Sequence, residues 1–238
     1  MKTFFVTTLL TAVLLALAIP SILGWVARSQ LHSAIDRLPV SEALNLRVTE
    51  RRGGWLQSEL QLALSGEPFE NLQAGGEPLP LLLELNHGPL VWNLVDSPFA
   101  LVHLQLRPAE NYLGAARGRL SGSGLLQLGR DGRMRWSSIL GLPAFDGDHT
   151  LQVRADWPAR DTAAGWRQLS ETLRLDLSID ADAPALLDSP AEEAVRIYEQ
   201  QGWTRYSQGR ALTYISINEG WVDINGQVFP LANLVGAP

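Results

Sequence analysis

A mostly β fold, with one N-terminal transmembrane helix and one amphipathic helix near the C-terminus, is what the sequence predicts, and three observations carry it. Residues 4–27 are apolar and uncharged. Beyond Pro39 the apolar residues recur at every second position in short runs, the period of a half-buried strand. One segment, 190–201, carries the start and stop signals of a helix instead. The strands are expected to be antiparallel, in a curved sheet or a sandwich.

The N-terminal run is interrupted only by Thr7, Thr8, Thr11, Pro20 and Ser21, whose polarity a helix tolerates. A helix of about 20 residues spans a bilayer core, whereas the apolar region of a secretory signal is about 7 to 15 residues long. Residues 1–27 are therefore expected to be an uncleaved anchor. The alternative is a cleaved signal peptide, since Ala16-Leu17-Ala18 is a small-x-small site before Ile19. Leu31, Ala34, Ile35 and Leu38 continue at helical spacing, so residues 28–39 are expected to be a stem that Pro39 stops. Both forms export residues 40–238. The expected placement is the bacterial inner membrane, single-pass, with the C-terminal domain in the periplasm.

The exported part is expected to form one core: 46% of the chain is hydrophobic and 18% charged, with the apolar residues spread along its length. Leu44, Leu46 and Val48 alternate, then after Gly53-Gly54 so do Leu56, Leu60, Leu62 and Leu64, an antiparallel pair. Leu79 to Leu85 alternate up to Asn86-His87-Gly88-Pro89. Leu90, Trp92 and Leu94 resume, and Val102, Leu104 and Leu106 follow. Leu126 and Leu128 lead into Gly129-Arg130-Asp131-Gly132, with Met134 and Trp136 beyond, where Asp-Gly permits the positive φ of a tight hairpin. Leu151 to Trp157 and Leu173 to Ile179 supply two further strands.

Ser189 is placed as an N-cap, Pro190 as the first helical residue, Glu192 as the capping-box acid and Gly202 as the stop. Ala191, Ala194, Val195 and Tyr198 share one face, expected to lie on the sheet or close one end of it. The chain then ends in a hairpin through Trp221 to Ile224 and Gln227 to Leu231, joined by Asn225-Gly226, the strongest short hairpin signal.

Three features together resemble the YdgA-like family of bacterial envelope proteins, the domain of unknown function 945. They are Glu50-Arg51-Arg52-Gly53-Gly54-Trp55-Leu56-Gln57-Ser58, which is similar to that family's Glu-Arg-Gly-Trp-Phe-x-Ser stretch; His87-Gly88-Pro89; and the C-terminal helix, Gly202-Trp203, Glu219-Gly220-Trp221 and Asn225-Gly226. The chain departs by one extra residue near Gly53-Gly54 and by being shorter. The resemblance implies location and β architecture and supplies no catalytic residue.

Site chemistry is sparse. A net charge of −6 with no basic stripe excludes nucleic acid as a partner. With no cysteine there is no disulfide, thiolate metal site or acylated cysteine. His32, His87, His103 and His149 lack zinc-protease spacing, no serine sits in a Gly-x-Ser-x-Gly frame, and no phosphate-cradling loop is present, which leaves nucleotides without a site. Asp146-Gly147-Asp148-His149 is read as a solvated turn in preference to a cation site, Asp180-x-Asp182 as a strand end entering a loop, and Gly122-Ser123-Gly124 as a strand kink or bulge. His87 is read as marking a strand exit, and Trp55, Trp203 and Trp221 as core aromatics.

No catalytic, cofactor or metal residue is therefore assigned, no cofactor is expected, and the protein is read as other than an enzyme. The expected partners are the inner membrane through residues 4–27, and a lipid or another envelope protein. A membrane-tethered interaction or envelope-maintenance module ranks first, a lipid or amphiphile binder using an apolar β groove second, and a hydrolase third.

Overall fold

The computed structural model describes residues 45–54, 56–66, 69–70, 77–87, 100–109, 120–129, 131–158 and 172–231. The expected membrane helix (4–27) and stem (28–39), the apolar run at 90–94, Trp55 and Gly88-Pro89 lie outside these residues. Among the described residues, no helix is long and apolar enough to cross a membrane.

The strands are β1 (Asn45–Gly53), β2 (Gln57–Ser65), β3 (Leu79–His87), β4 (Ala100–Pro108), β5 (Ser121–Leu128), β6 (Arg133–Ala144), β7 (Gly147–Pro158) and β8 (Arg174–Asp182). Two helices follow, α1 (Ala183–Leu187) and α2 (Glu192–Gln200), then β9 (Arg205–Ser207), β10 (Arg210–Asn218), β11 (Trp221–Ile224) and β12 (Gln227–Pro230). All twelve strands join one sheet in the order β1 through β8, then β10, β11 and β12, with β9 paired to β10. Each pairing is antiparallel, so the described part is a meander in a single sheet, and the two-sheet sandwich is set aside.

Alternation is what builds it. In β3, Leu79, Leu81, Leu83, Leu85 and His87 are buried while the residues between them are half-exposed. Register carries the same face across the sheet: Leu85 stands opposite Leu104, Leu104 opposite Gly124, Gly124 opposite Ser138, Ser138 opposite Val153 and Val153 opposite Leu177. One face is thus apolar and the other polar.

The turns are chemically explicit. Asn225 (φ 52) and Gly226 (φ 91) occupy the two central positions of the last hairpin, as the sequence predicts. Asn225 also ties it down: its side-chain oxygen accepts from the Tyr214 amide at 2.9 Å and its nitrogen donates to the Trp203 carbonyl at 2.8 Å. The β5–β6 loop differs from the two-residue form, because Gly129 N–H donates to the Arg133 carbonyl at 2.8 Å and Gly132 takes φ 73 while Asp131 is not left-handed. Phe145 (φ 49) and Asp146 (φ 62) form a further tight turn, in which the Phe145 ring packs on the core. Asp146 is exposed in that turn, but Gly147, Asp148 and His149 already belong to β7, with Gly147 buried and His149 half-buried, so the solvated-turn reading holds for Asp146 and not for the other three.

Several local expectations are corrected. Gly122-Ser123-Gly124 is neither kink nor bulge: its pairing with β6 is unbroken, and the irregularities fall at Val48/Glu50 and Ala100/Val102. A Cβ on Gly122 would come within 3.0 Å of Leu140, and one on Gly124 within 2.5 Å of the Trp136 ring, so the glycines clear space for side chains lying flat on the apolar face. Asp180-x-Asp182 enters a helix and not a loop, since Asp182 caps α1 by accepting from Ala185 N–H at 3.1 Å and Asp180 pairs with Arg210 at 2.6 Å. Helix α1 is an addition to the elements that the sequence predicts.

Helix α2 starts later than the capping signals place it: its N-cap is Ala191 with no side-chain cap hydrogen bond, Ser189 and Pro190 lie in the turn before it, where Ser189 Oγ accepts from Ala191 N–H at 3.1 Å, and Glu192 pairs with Arg196 at 2.9 Å and forms no capping box. The helix packs chiefly on α1, which is the helix that meets β7, β8 and β10. Only Val195 of its expected face is buried. Trp203 packs partly into the C-terminal core, whereas Trp221 is 53% exposed, contrary to the core reading of that residue.

Candidate functional site

The apolar face is closed at two ends and open to a different degree between them. At the first end, Leu60, Leu62 and Leu64 of β2 and the leucines of β3 form a buried cluster with Phe69, Leu120 and Ala144. At the other, Val222, Ile224 and Leu231 are buried under Trp203 and Phe229. In the midsection, Met134, Trp136 and Leu140 of β6, Leu151 and Val153 of β7 and Leu175 and Leu177 of β8 share the same face, yet each is only half-buried. Leu128 at 45% and Ile179 at 36% are exposed on it.

The floor of the midsection is specific in chemistry. The Trp136 indole lies over Gly124 and donates from Nε1 to Ser138 Oγ at 3.0 Å, so its polar atom is satisfied without leaving the apolar surface. Ser138, Val153, Leu177 and Ile215 continue from there as one row crossing four strands. An extended hydrocarbon chain matches a row of this kind, because dispersion and exclusion of water need no directional partner.

Two residues from the family-like motifs meet at the closed first end. Ser58 and His87, both on the apolar face, share a hydrogen bond between Oγ and Nε2 of 3.0 Å. Register places Ser58 opposite Leu85, so His87 is its diagonal neighbour. Ser58 is 1% and His87 2% exposed, which makes the pair a buried polar tie among leucines and not a reagent open to substrate. The two residues sit in separate motifs of the sequence, and their shared parity on adjacent strands is the signal that joins them. In the same stretch, Gly54 N–H donates to the Gln57 carbonyl at 2.7 Å and closes the turn into β2. Glu50 and Arg52 form an exposed ion pair at 2.9 Å.

The remaining candidates do not converge. His149 donates from Nε2 to the Ala144 carbonyl at 2.8 Å, and among the described residues its buried Nδ1 has no partner. His103 lies on the opposite, polar face, where burial pushes its imidazole below the ordinary value. Among the described residues, no group of three or more His, Asp or Glu is placed to hold a metal ion.

A family model described as bacterial protein of unknown function (DUF945) matches residues 1–116, which span β1 to β4 and both the Ser58 and His87 stretches. The C-terminal helix and hairpins lie outside the matched residues. No curated protein and no solved structure matches the chain.

Proposed function

The chain belongs to the bacterial family of unknown function DUF945, and from that premise we propose that it is an envelope protein, tethered at the inner membrane by residues 4–27, whose periplasmic sheet holds the apolar part of an amphiphile. The observation that carries this reading is the half-buried apolar midsection over β6, β7, β8 and β10 between two closed cores. A scaffold needs no such strip. Side chains of this size gain about 1.5 to 3 kcal/mol each when fully buried, so a half-buried row retains apolar surface that an acyl chain can cover.

The interaction-module reading draws less support. It expects an exposed apolar edge, and Val228 of β12 and Trp221 of β11 are exposed, but among the described residues edge strand β1 carries Arg47, Glu50, Arg51 and Arg52, and edge strand β12 ends in Pro230. Both are devices that discourage strand addition. The hydrolase reading has only Ser58 and His87 to stand on, and they are sealed among leucines.

Native mass spectrometry of the full chain extracted in detergent, with identification of the co-purifying lipid, tests the proposal. The wild-type chain should retain a bound amphiphile, and Val153→Asp combined with Leu177→Asp should release it while the fold is kept. Retention undiminished in that variant would assign the lipid to the N-terminal segment and remove the sheet from the account.

A further inference from the structure

The polar face carries a feature that the apolar-face reading leaves unused. Register aligns His103, Leu125, Ser137, Arg154 and Asp176 in one row across β4 to β8, with Ser123, Ile139, Gln152 and Ser178 in the row beside it. Between these rows the sheet is hollowed into a depression of about 370 Å³, lined by His103, Ser123, Ser137, Gln152 and Arg154 among others. Two adjoining depressions, of about 300 and 160 Å³, also have Arg154 in their walls. One guanidinium therefore stands where three hollows meet.

Most charge on this face is matched. Arg133 and Arg135 both engage Asp156, Arg210 engages Asp180 and Arg107 engages Glu84. Arg154 and Arg174 are different, since among the described residues neither has an ion pair or a side-chain hydrogen bond, and of the two only Arg154 lines the largest hollow. Asp176, directly across from Arg154 on β8, instead accepts from the Tyr214 hydroxyl at 2.7 Å. The largest hollow has one cation in its lining and no carboxylate. Besides Ser138, whose hydroxyl meets the Trp136 indole, its other polar side chains are the hydroxyls of Ser123 and Ser137, an amide and an imidazole, all able to donate. Ser137 stands opposite Arg154 on the neighbouring strand, which puts the two Cβ atoms about 5 Å apart.

We propose that this hollow is a binding site for a phosphate-type oxyanion, with the Arg154 fork taking two oxygens and Ser137, Ser123 and Gln152 donating to the others. A planar fork without an ion pair, with neutral donors on the side of the largest hollow and Asp176 engaged by Tyr214 on the other, suits a tetrahedral anion in that hollow. The anion is supplied either as a free phosphate ester or as the phosphorylated headgroup of a lipid. The site is independent of the apolar-face reading, because it lies on the opposite side of the sheet.

The test uses the full chain in neutral detergent micelles, titrated calorimetrically with inorganic phosphate, with glycerol 3-phosphate and, in a separate arm, with phosphatidylglycerol doped into the micelles. Saturable binding is expected in at least one arm. Saturation by the soluble phosphates identifies a free ligand, and saturation by phosphatidylglycerol alone identifies a headgroup. Arg154→Gln should weaken that binding by about tenfold or more, and Arg154→Lys, which keeps the charge without the fork, by less. Arg196→Gln, on α2 and already paired with Glu192, should leave it unchanged. Arg154 is exposed, so its variants should melt with the wild type and keep the comparison clean. No saturable binding in any arm, or equal binding by Arg154→Gln, overturns the proposal.

Discussion

Strands β3 and β7 alternate apolar and polar residues in the same way, yet Leu79, Leu81, Leu83 and Leu85 are buried whereas Leu151, Val153 and Ala155 are half-buried. Alternation decides which face a side chain takes. Whether that face is covered depends on what stands above it: Phe69, Leu120 and Ala144 join the cluster around β3, while the helix that reaches the β6–β7 hairpin does so at its tip, where Ala185 and Asp182 crowd Gly147. The same sequence grammar thus yields a core at one end and a receptive surface in the middle.

The sharpest way to break this contrast is by truncation. Leu85→Ala should cost about 2 to 5 kcal/mol, because a cavity opens in a closed cluster, while Leu177→Ala should cost about 1 kcal/mol or less. Urea unfolding of the two variants measures both. Equal losses would mean that the midsection is covered as completely as β3.

Ser58→Ala comes next, with an expected loss of about 1 to 3 kcal/mol, since it leaves His87 Nε2 without the hydroxyl it meets in the core. Adding His87→Leu should recover part of that loss if the pair is a structural tie. Gly226→Val probes the other closed end through the backbone alone. At φ 91 a β-branched residue is strained, and the nearest atom to an added Cβ is Arg205 at 3.7 Å, so a loss of about 1 to 3 kcal/mol reflects conformation and not a clash. A variant that melts like wild type would contradict the turn.

The smallest effect is electrostatic and belongs to the polar face. Burial holds His103 below its ordinary value of 6.5, so the folded state binds its proton less readily than the unfolded chain does. Its contribution to stability is complete above about pH 6.5 and fades as the pH falls toward the lower folded value. His103→Gln should flatten that part of the stability profile, measured by thermal melting in steps from pH 5 to 7.5. An unchanged slope would separate His103 from the pH dependence.

Much of the strand order was legible because leucines at every second position state a face, and Asn225-Gly226 states a turn. Three things were less legible, each for a physical reason. Helix α1 has five residues, too few for a period, and its start is signalled only by Asp182 and Pro184. The Phe145-Asp146 turn uses a bulky residue at positive φ, which propensity argues against and packing on the core supports. The glycines at 122 and 124 look like breaks in a linear reading, and only the cross-strand register reveals Trp136 and Leu140 above them. The candidate sites were hidden for a related reason: the Ser58 and His87 pairing, and the solitary Arg154, are properties of neighbouring strands and not of spacing along one of them.

Gln152 and Val153 are adjacent in β7 and point to opposite faces, which allows the central claim to be tested within one strand. A photo-crosslinking phenylalanine analogue placed at either position in the full chain, irradiated in native membranes, reports what touches each face. In an Arg154→Gln background, which takes the oxyanion hollow out of the comparison, the account predicts a lipid adduct from position 153 and none from position 152. A lipid adduct of equal yield from both, or a protein adduct from position 153 in place of lipid, would contradict it.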